Sequence, residues 1–133
     1  MLKLVDKGAR STRPFSPGII AGDFLHISGQ ASVARDDGRI INGTFEEEMR
    51  RSIENLQAIL EAAGLTLDHV ISVRCYLGDG ADGARHNEIY AEYFAEPRPV
   101  RTTLSGVLGS ALKYELDAIA YIHGTRQEAE RLE

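Results

Sequence analysis

Only two stretches of this chain carry helical periodicity, and two helices can cover no more than one face of the sheet that the other segments build. The first, Thr44 to Ala63, places Met49, Ile53, Leu56, Leu60 and Ala63 at steps of four and three, which makes one apolar stripe. Thr44 and Glu47 have capping-box spacing, Glu46 to Glu48 set negative charge against the helix start, and Gly64 suits a left-handed stop. The second, Ala84 to Ala95, turns Ile89, Tyr90, Tyr93 and Phe94 inward and ends before Pro97. The strands read as Phe24 to Ala31, Val70 to Leu77, Val100 to Val107 and Leu112 to Ile122. Short Ile40-Ile41, between the turn residues Asp36-Asp37-Gly38 and Asn42-Gly43, suits a hairpin. Arg10 to Gly18, with Pro14 and Pro17, reads as an extended irregular lead-in, and the charged tail from Gly124 to Glu133 as a frayed helical turn.

The order of elements predicts one α/β domain over residues 1–133, with both helices on one face of a mixed sheet. Alternation assigns faces. Leu112, Tyr114, Leu116, Ala118, Ala120 and Ile122 take the helix side, and Lys113, Glu115, Asp117, Ile119 and Tyr121 the other. In the first strand Leu25, Ile27, Gly29 and Ala31 share one face, and Phe24, His26, Ser28 and Gln30 the opposite one. A second face that mixes ionisable, aromatic and aliphatic groups points to a subunit partner, so homo-oligomerisation is expected.

Composition narrows the function. The chain has 133 residues, 43% hydrophobic and 26% charged, which is ordinary for a globular domain. Its net charge of −5 argues against a nucleic-acid partner, since that affinity comes largely from Lys and Arg neutralising phosphates. No apolar run reaches the roughly 20 residues needed to span a bilayer. Met1 to Arg10 lacks a signal-peptide core, so a cytoplasmic location is expected, and Asn42-Gly43-Thr44 reads as turn plus cap rather than a glycosylation site. The single Cys75 excludes an intrachain disulfide, and His26, His69, His86 and His123 lack metal-ligand spacing, so neither metal nor cofactor is expected. Gly78 to Gly83 matches G-x-G-x-x-G, but Asp79 and Asp82 would set carboxylates beside a pyrophosphate. The acidic ribose anchor expected about 20 residues later is also missing, and no βαβ unit precedes the loop, so a plain connection is the better reading.

The stretch Pro97 to Thr103 holds Arg101 at the start of a strand, alternating with Thr103 on one face. A fixed arginine can grip a carboxylate bidentately; the plainer alternative is a surface salt bridge. Glu115, on the mixed face of the last strand, is either a solvated carboxylate or, at an oligomer seam, a proton carrier.

At these residues the chain resembles the RidA/YjgF/UK-type family of reactive-intermediate deaminases, also called L-PSP endoribonucleases. The resemblance runs through Pro14-Phe-Ser-Pro-Gly18, Gly22 to Gln30, Asn55, Glu61-Ala-Ala-Gly64, Asn87-Glu-Ile-Tyr90, Tyr93-Phe94, Pro99-Val-Arg101 and Tyr114 to Ala120. It covers about Arg13 to Ile122. It implies a chorismate-mutase-like fold with a six-stranded sheet, in homotrimers whose sheets face a central barrel and whose clefts lie between neighbours. The activity it implies is hydrolysis of enamines and imines such as 2-aminoacrylate, 2-iminopropanoate and 2-iminobutanoate to 2-keto acids and ammonia, without metal or cofactor. By position Arg101 would clamp the substrate carboxylate and Glu115 would activate water and protonate the leaving nitrogen. Thr103, Phe15, Ser28, Gly29 and Asn87 would line or brace the cleft.

Four features depart from the family pattern. Phe15 stands for a cleft tyrosine, Thr103 for a cysteine two residues after the arginine, and Glu48 for a helix glutamine. The Arg101-to-Glu115 interval, 115 − 101 = 14, is one residue shorter than in the best-known deaminating members. A non-catalytic carboxylate-binding or sensor trimer and a ribonuclease or translation inhibitor are the competing readings.

Overall fold

A computed structural model describes residues 1–133. It contains strands β1 (Leu2–Val5), β2 (Gly18–Ala21) and β3 (Phe24–Ala31), helix α1 (Phe45–Ala62), strand β4 (Val70–Leu77), helix α2 (Gly83–Tyr93), and strands β5 (Val100–Ser105) and β6 (Tyr114–Tyr121). The sheet order is β1-β2-β3-β6-β4-β5, antiparallel except for the β4–β5 pair at the edge. That parallel pair requires a crossover, and α2 supplies it.

Helix α1 starts as its cap residues dictate. Glu47 N–H donates to Thr44 Oγ1, and Thr44 N–H donates to Glu47 Oε1, which closes the capping box. Its stripe of Met49, Ile53, Leu56, Ile59 and Leu60 is fully buried against Leu25, Val73, Cys75 and Leu116 of the sheet. Helix α2 adds Ile89, Tyr90 and Phe94 to the same core, while Tyr93 stays half-buried. Both helices lie on one side, as expected.

Several sequence expectations are corrected. The structure adds strands β1, in a segment where short aliphatics alternate with charge, and β2, at the end of the proline-rich lead-in. The two-residue loop Gly22-Asp23 joins β2 to β3, with Gly22 at φ +60°, the position a type II′ turn reserves for glycine. The alternation of β3 fails at a bulge between Ile27 and Gln30, where Ser28 and Gly29 together oppose Asp117. Gln30 thereby turns inward and is buried, and Gly29 leaves the helix side.

Before β6 the faces are also exchanged. Lys113 reaches back to α1, where its N–H and Nζ donate to the fully buried Glu48 carboxylate at 3.0 and 3.1 Å, while Leu112 lines the opposite face. Burial pushes the Glu48 carboxyl up, but the backbone donors of Lys113 and Gly43 and the Lys113 ammonium together hold it below its usual range. Glu48 therefore ties the segment leading into β6 to the helix layer. The Gly78-to-Gly83 loop does sit in a β-α-β crossover, yet Asp82 Oδ1 accepts from Ala84 and Arg85 N–H, so its own carboxylate already occupies the amides a pyrophosphate would need. The tail is docked rather than frayed at Arg126. Its guanidinium is buried and donates to the carbonyls of Leu67, Val70, Ala95 and Pro97, joining the start of β4 to the approach of β5.

No helix is long and apolar enough to cross a membrane. The face away from the helices carries exposed Ile19, Phe24, Leu104 and Tyr121, and every residue of the edge strand β5 is exposed.

Candidate active site

The uncovered face of the sheet forms the floor of a cavity of about 1000 Å³, lined by β3, β6, the Ser72–Arg74 part of β4 and the lead-in segment from Ala9 to Gly18. Glu115 stands on this floor. The β3 bulge puts Gly29 beside its carboxylate, and a Cβ on Gly29 would overlap Glu115 Oε1. Glycine is thus the residue that lets the carboxylate lie against the strand. Burial, and next the neighbouring Asp117 carboxylate, raise the Glu115 carboxyl above its ordinary value, while Arg13 opposes the shift. Asp117 is itself engaged, accepting from Arg74 Nε at 2.9 Å and Tyr76 Oη at 2.7 Å. The Glu115 carboxylate, by contrast, has no hydrogen-bond or salt-bridge partner within the chain and faces the cavity.

Ser28 both lines the cavity and braces its wall. Its hydroxyl donates to the Ser16 carbonyl and its N–H to the Pro17 carbonyl, which fixes the segment that brings Phe15 to the cavity wall. The Phe15 ring, half exposed, supplies an apolar wall without a hydroxyl.

Arg101 lies elsewhere. Strand β5 pairs in parallel register with β4, so Arg101 is level with Val73 and Thr103 with Cys75, both core-facing residues. The Arg101 guanidinium donates to Asn87 Oδ1 at 2.9 Å and sits 4.8 Å over the Tyr90 ring, a cation–π arrangement that fixes its plane. With Arg98 and Pro99 these residues line a second concavity of about 380 Å³ beside α2. The structure thus gathers Glu115, Phe15, Ser28 and Gly29 on one side of the sheet and Arg101 and Asn87 on the other, with Thr103 on the Arg101 side. One chain does not bring the two groups together.

Other reactive side chains are disarmed. Burial pushes the Cys75 thiol up to about 11, and it accepts from Tyr114 Oη at 3.3 Å. Burial, and then the Arg101 charge, push His86 down to about 4, so its ring is neutral near pH 7. No three His, Cys, Asp or Glu side chains converge as a metal cluster would. Asp117, Tyr90 and Arg13 also shape these sites. Alternation places Asp117 on the mixed face and helical spacing turns Tyr90 inward, but only strand register and the folded lead-in show what each one touches.

Known proteins agree with this architecture. A protein of the RutC family from Pyrococcus horikoshii is 44% identical over 109 residues, covering 81% of this chain and 86% of the relative. Reactive Intermediate Deaminase A of Arabidopsis thaliana chloroplasts is 30% identical over 116 residues, covering 86% of this chain and 62% of that protein. Among solved structures, Escherichia coli TdcF with bound serine superposes with a TM-score of 0.78 at 30% identity, covering 90% of this chain and 98% of the other. RidA from an Antarctic Psychrobacter gives 0.78 at 30% identity, covering 88% and 95%. Residues 7–122 match the family described as Endoribonuclease L-PSP, nearly the whole chain, and the protein belongs to that RidA/YjgF/L-PSP family.

Proposed function

We propose that this protein hydrolyses the imines of small 2-amino acids to 2-keto acids and ammonia, in clefts that form between copies of the chain in a homotrimer. The observation that carries the reading is the division of the site. A raised, unpaired Glu115 carboxyl lies on the uncovered face, and a clamped Arg101 lies at an exposed edge strand on the other side of the sheet. A second copy set against the bare face can offer its Arg101 to the first copy's Glu115. The relative named Reactive Intermediate Deaminase A and the serine held by TdcF support a small amino-acid-derived ligand with a carboxylate.

The chemistry asks little of such a cleft. The iminium form R–C(=NH₂⁺)–COO⁻ is already electrophilic at C2. Arg101 holds the carboxylate, and a charge-assisted bond of that kind contributes about 1.5–3 kcal/mol. Glu115 in its carboxylate form takes a proton from water as the oxygen bonds to C2 and the C=N pair moves to nitrogen. The resulting carboxylic acid gives that proton to nitrogen. The C–N bond then breaks with its electron pair going to ammonia, the hydroxyl proton passes to Glu115 and on to ammonia, which leaves as ammonium, and the Glu115 carboxylate is restored. Water and iminium are consumed, and keto acid and ammonium are formed. A raised proton affinity suits a group that must both accept and return a proton near neutral pH.

Purified protein is expected to speed keto-acid release from 2-iminopropanoate generated in situ, and Arg101→Ala to lower kcat/KM about 10–100-fold, the equivalent of the lost charged contact. Equal rates for wild type and Arg101→Ala contradict the assignment. Because TdcF holds serine, a carboxylate-binding protein is the second reading, favoured if 2-ketobutyrate binds through Arg101 and no imine is turned over.

A further inference from the structure

The large cavity holds positive charge that the chain does not balance. Apart from Arg131 in the tail, the arginines outside this cavity all donate to side chains or carbonyls: Arg39 to Asp36 and Asp37, Arg50 to Glu46 and Glu92, Arg85 to Glu46 and Glu88, Arg98 to Glu96, Arg126 to four carbonyls. Arg35, Arg51 and Arg101 bond Asn55, Ser32 and Asn87. Within the cavity Arg74 is neutralised by Asp117. Arg10 and Arg13 line the same cavity, and neither guanidinium has a hydrogen-bond or salt-bridge partner. Both are exposed, and Arg13 acts on Glu115 only through its charge, so the lining carries three arginines against the two carboxylates Glu115 and Asp117.

Both arginines stand on held backbone. Arg10 N–H donates to the Arg35 carbonyl at 2.8 Å, Arg13 N–H to Ser11 Oγ at 3.1 Å, and the segment is tied to β3 through Ser28. The only other carboxylate of the cavity is Glu115, which must stay free to carry a proton. A concave site with excess positive charge concentrates anions. The substrate carboxylate does not meet this need, since the Arg101 of a neighbouring copy takes it.

We propose that the preferred substrates are 2-imino acids with a second, distal carboxylate, which Arg13, backed by Arg10, receives across the cavity from the reacting carbon. This rests on the imine-hydrolase reading and names its substrate class. The cavity of about 1000 Å³ in one chain is shared between ligand and the second copy set against this face, and a side chain longer than the methyl of 2-iminopropanoate would extend within it toward Arg13. Phe15, beside Arg13, walls the path with carbon rather than with a competing hydroxyl.

The test compares 2-iminosuccinate and 2-iminoglutarate with 2-iminopropanoate, each generated in situ by an amino-acid oxidase. In parallel, calorimetric binding compares the stable keto acids 2-oxoglutarate and pyruvate. Wild type is expected to favour the diacid about 10–100-fold in both measurements. Arg13→Gln is expected to collapse that ratio, with Arg13→Lys keeping part of it and Arg10→Gln lowering it less. A wild-type ratio near one, or a ratio that survives both Arg13→Gln and Arg10→Gln, overturns the proposal. Turnover of 2-iminopropanoate without diacid preference overturns the second-carboxylate site and leaves the hydrolase reading intact. Arg13-dependent diacid binding without turnover of any imine supports the site and defeats the hydrolase reading.

Discussion

Glu115→Gln is expected to lower kcat for imine hydrolysis about 10²–10⁴-fold, the range a positioned general acid–base supplies. Glutamine keeps the shape of the side chain and its seat over Gly29, so KM should change far less than kcat. The same substitution should make the protein more stable near neutral pH. The folded-state proton affinity of Glu115 is raised, so its favourable contribution is complete below the unfolded value of 4.5 and is lost as pH rises through the folded value. At pH 7 the native carboxylate is held ionised in a half-buried site next to Asp117, and glutamine relieves that cost. Thermal denaturation is expected to show a higher Tm for Glu115→Gln at pH 7, with the difference fading below pH 4.5. An inactive variant with unchanged Tm at every pH would contradict the burial argument.

Gly29→Ala tests the seat rather than the group. The new methyl would take the space of Glu115 Oε1, the far end of a flexible side chain, so the carboxylate moves while the backbone stays. Gly29 has no positive φ, and alanine brings no backbone strain. A displacement of this size is expected to cost about 10²-fold in kcat, as misplacement by roughly an ångström does in other sites. Circular dichroism and Tm should remain close to wild type. The pH profile is the specific readout, because the displaced carboxylate is more hydrated and its acid limb shifts to lower pH. Loss of activity through unfolding, or full activity with a native fold, would each speak against the assigned seat.

Much of this was legible in the chain. The α1 capping box, both apolar helix faces and the long strands are local patterns of period 3.6 or 2, and the structure has them. The weak segments are those whose structure depends on partners. Strands β1 and β2 are four residues each, too short for alternation to declare them, and they pair mainly with each other and with β3. The β3 bulge is invisible to alternation because it is an extra residue against β6, and it moved Gly29 from the core side to Glu115. Lys113 was assigned by alternation to the open face, but its long side chain instead meets a buried carboxylate on α1. Arg126 lies in a tail with tail-like composition, and its four carbonyl partners come from segments far apart in sequence.

For the site, the sequence marked Arg101 and Glu115 as the two ends of the proposed chemistry, but not their separation by the sheet. That separation needs the parallel register of β4 with β5 and the antiparallel register of β4 with β6. Under the proposed function, it also turns oligomerisation from a packing expectation into a condition for activity.

Mixing two impaired variants tests this directly. Arg101→Ala retains Glu115, and Glu115→Gln retains Arg101, so neither forms a complete cleft alone. After denaturation together and refolding, a trimer that shares each site between neighbours should recover about one quarter of wild-type activity, the chance that a seam receives both intact sides. Recovery at that level supports a site built from two copies. If mass spectrometry shows mixed trimers and activity stays at the level of the separate variants, the site is not shared and the account is wrong.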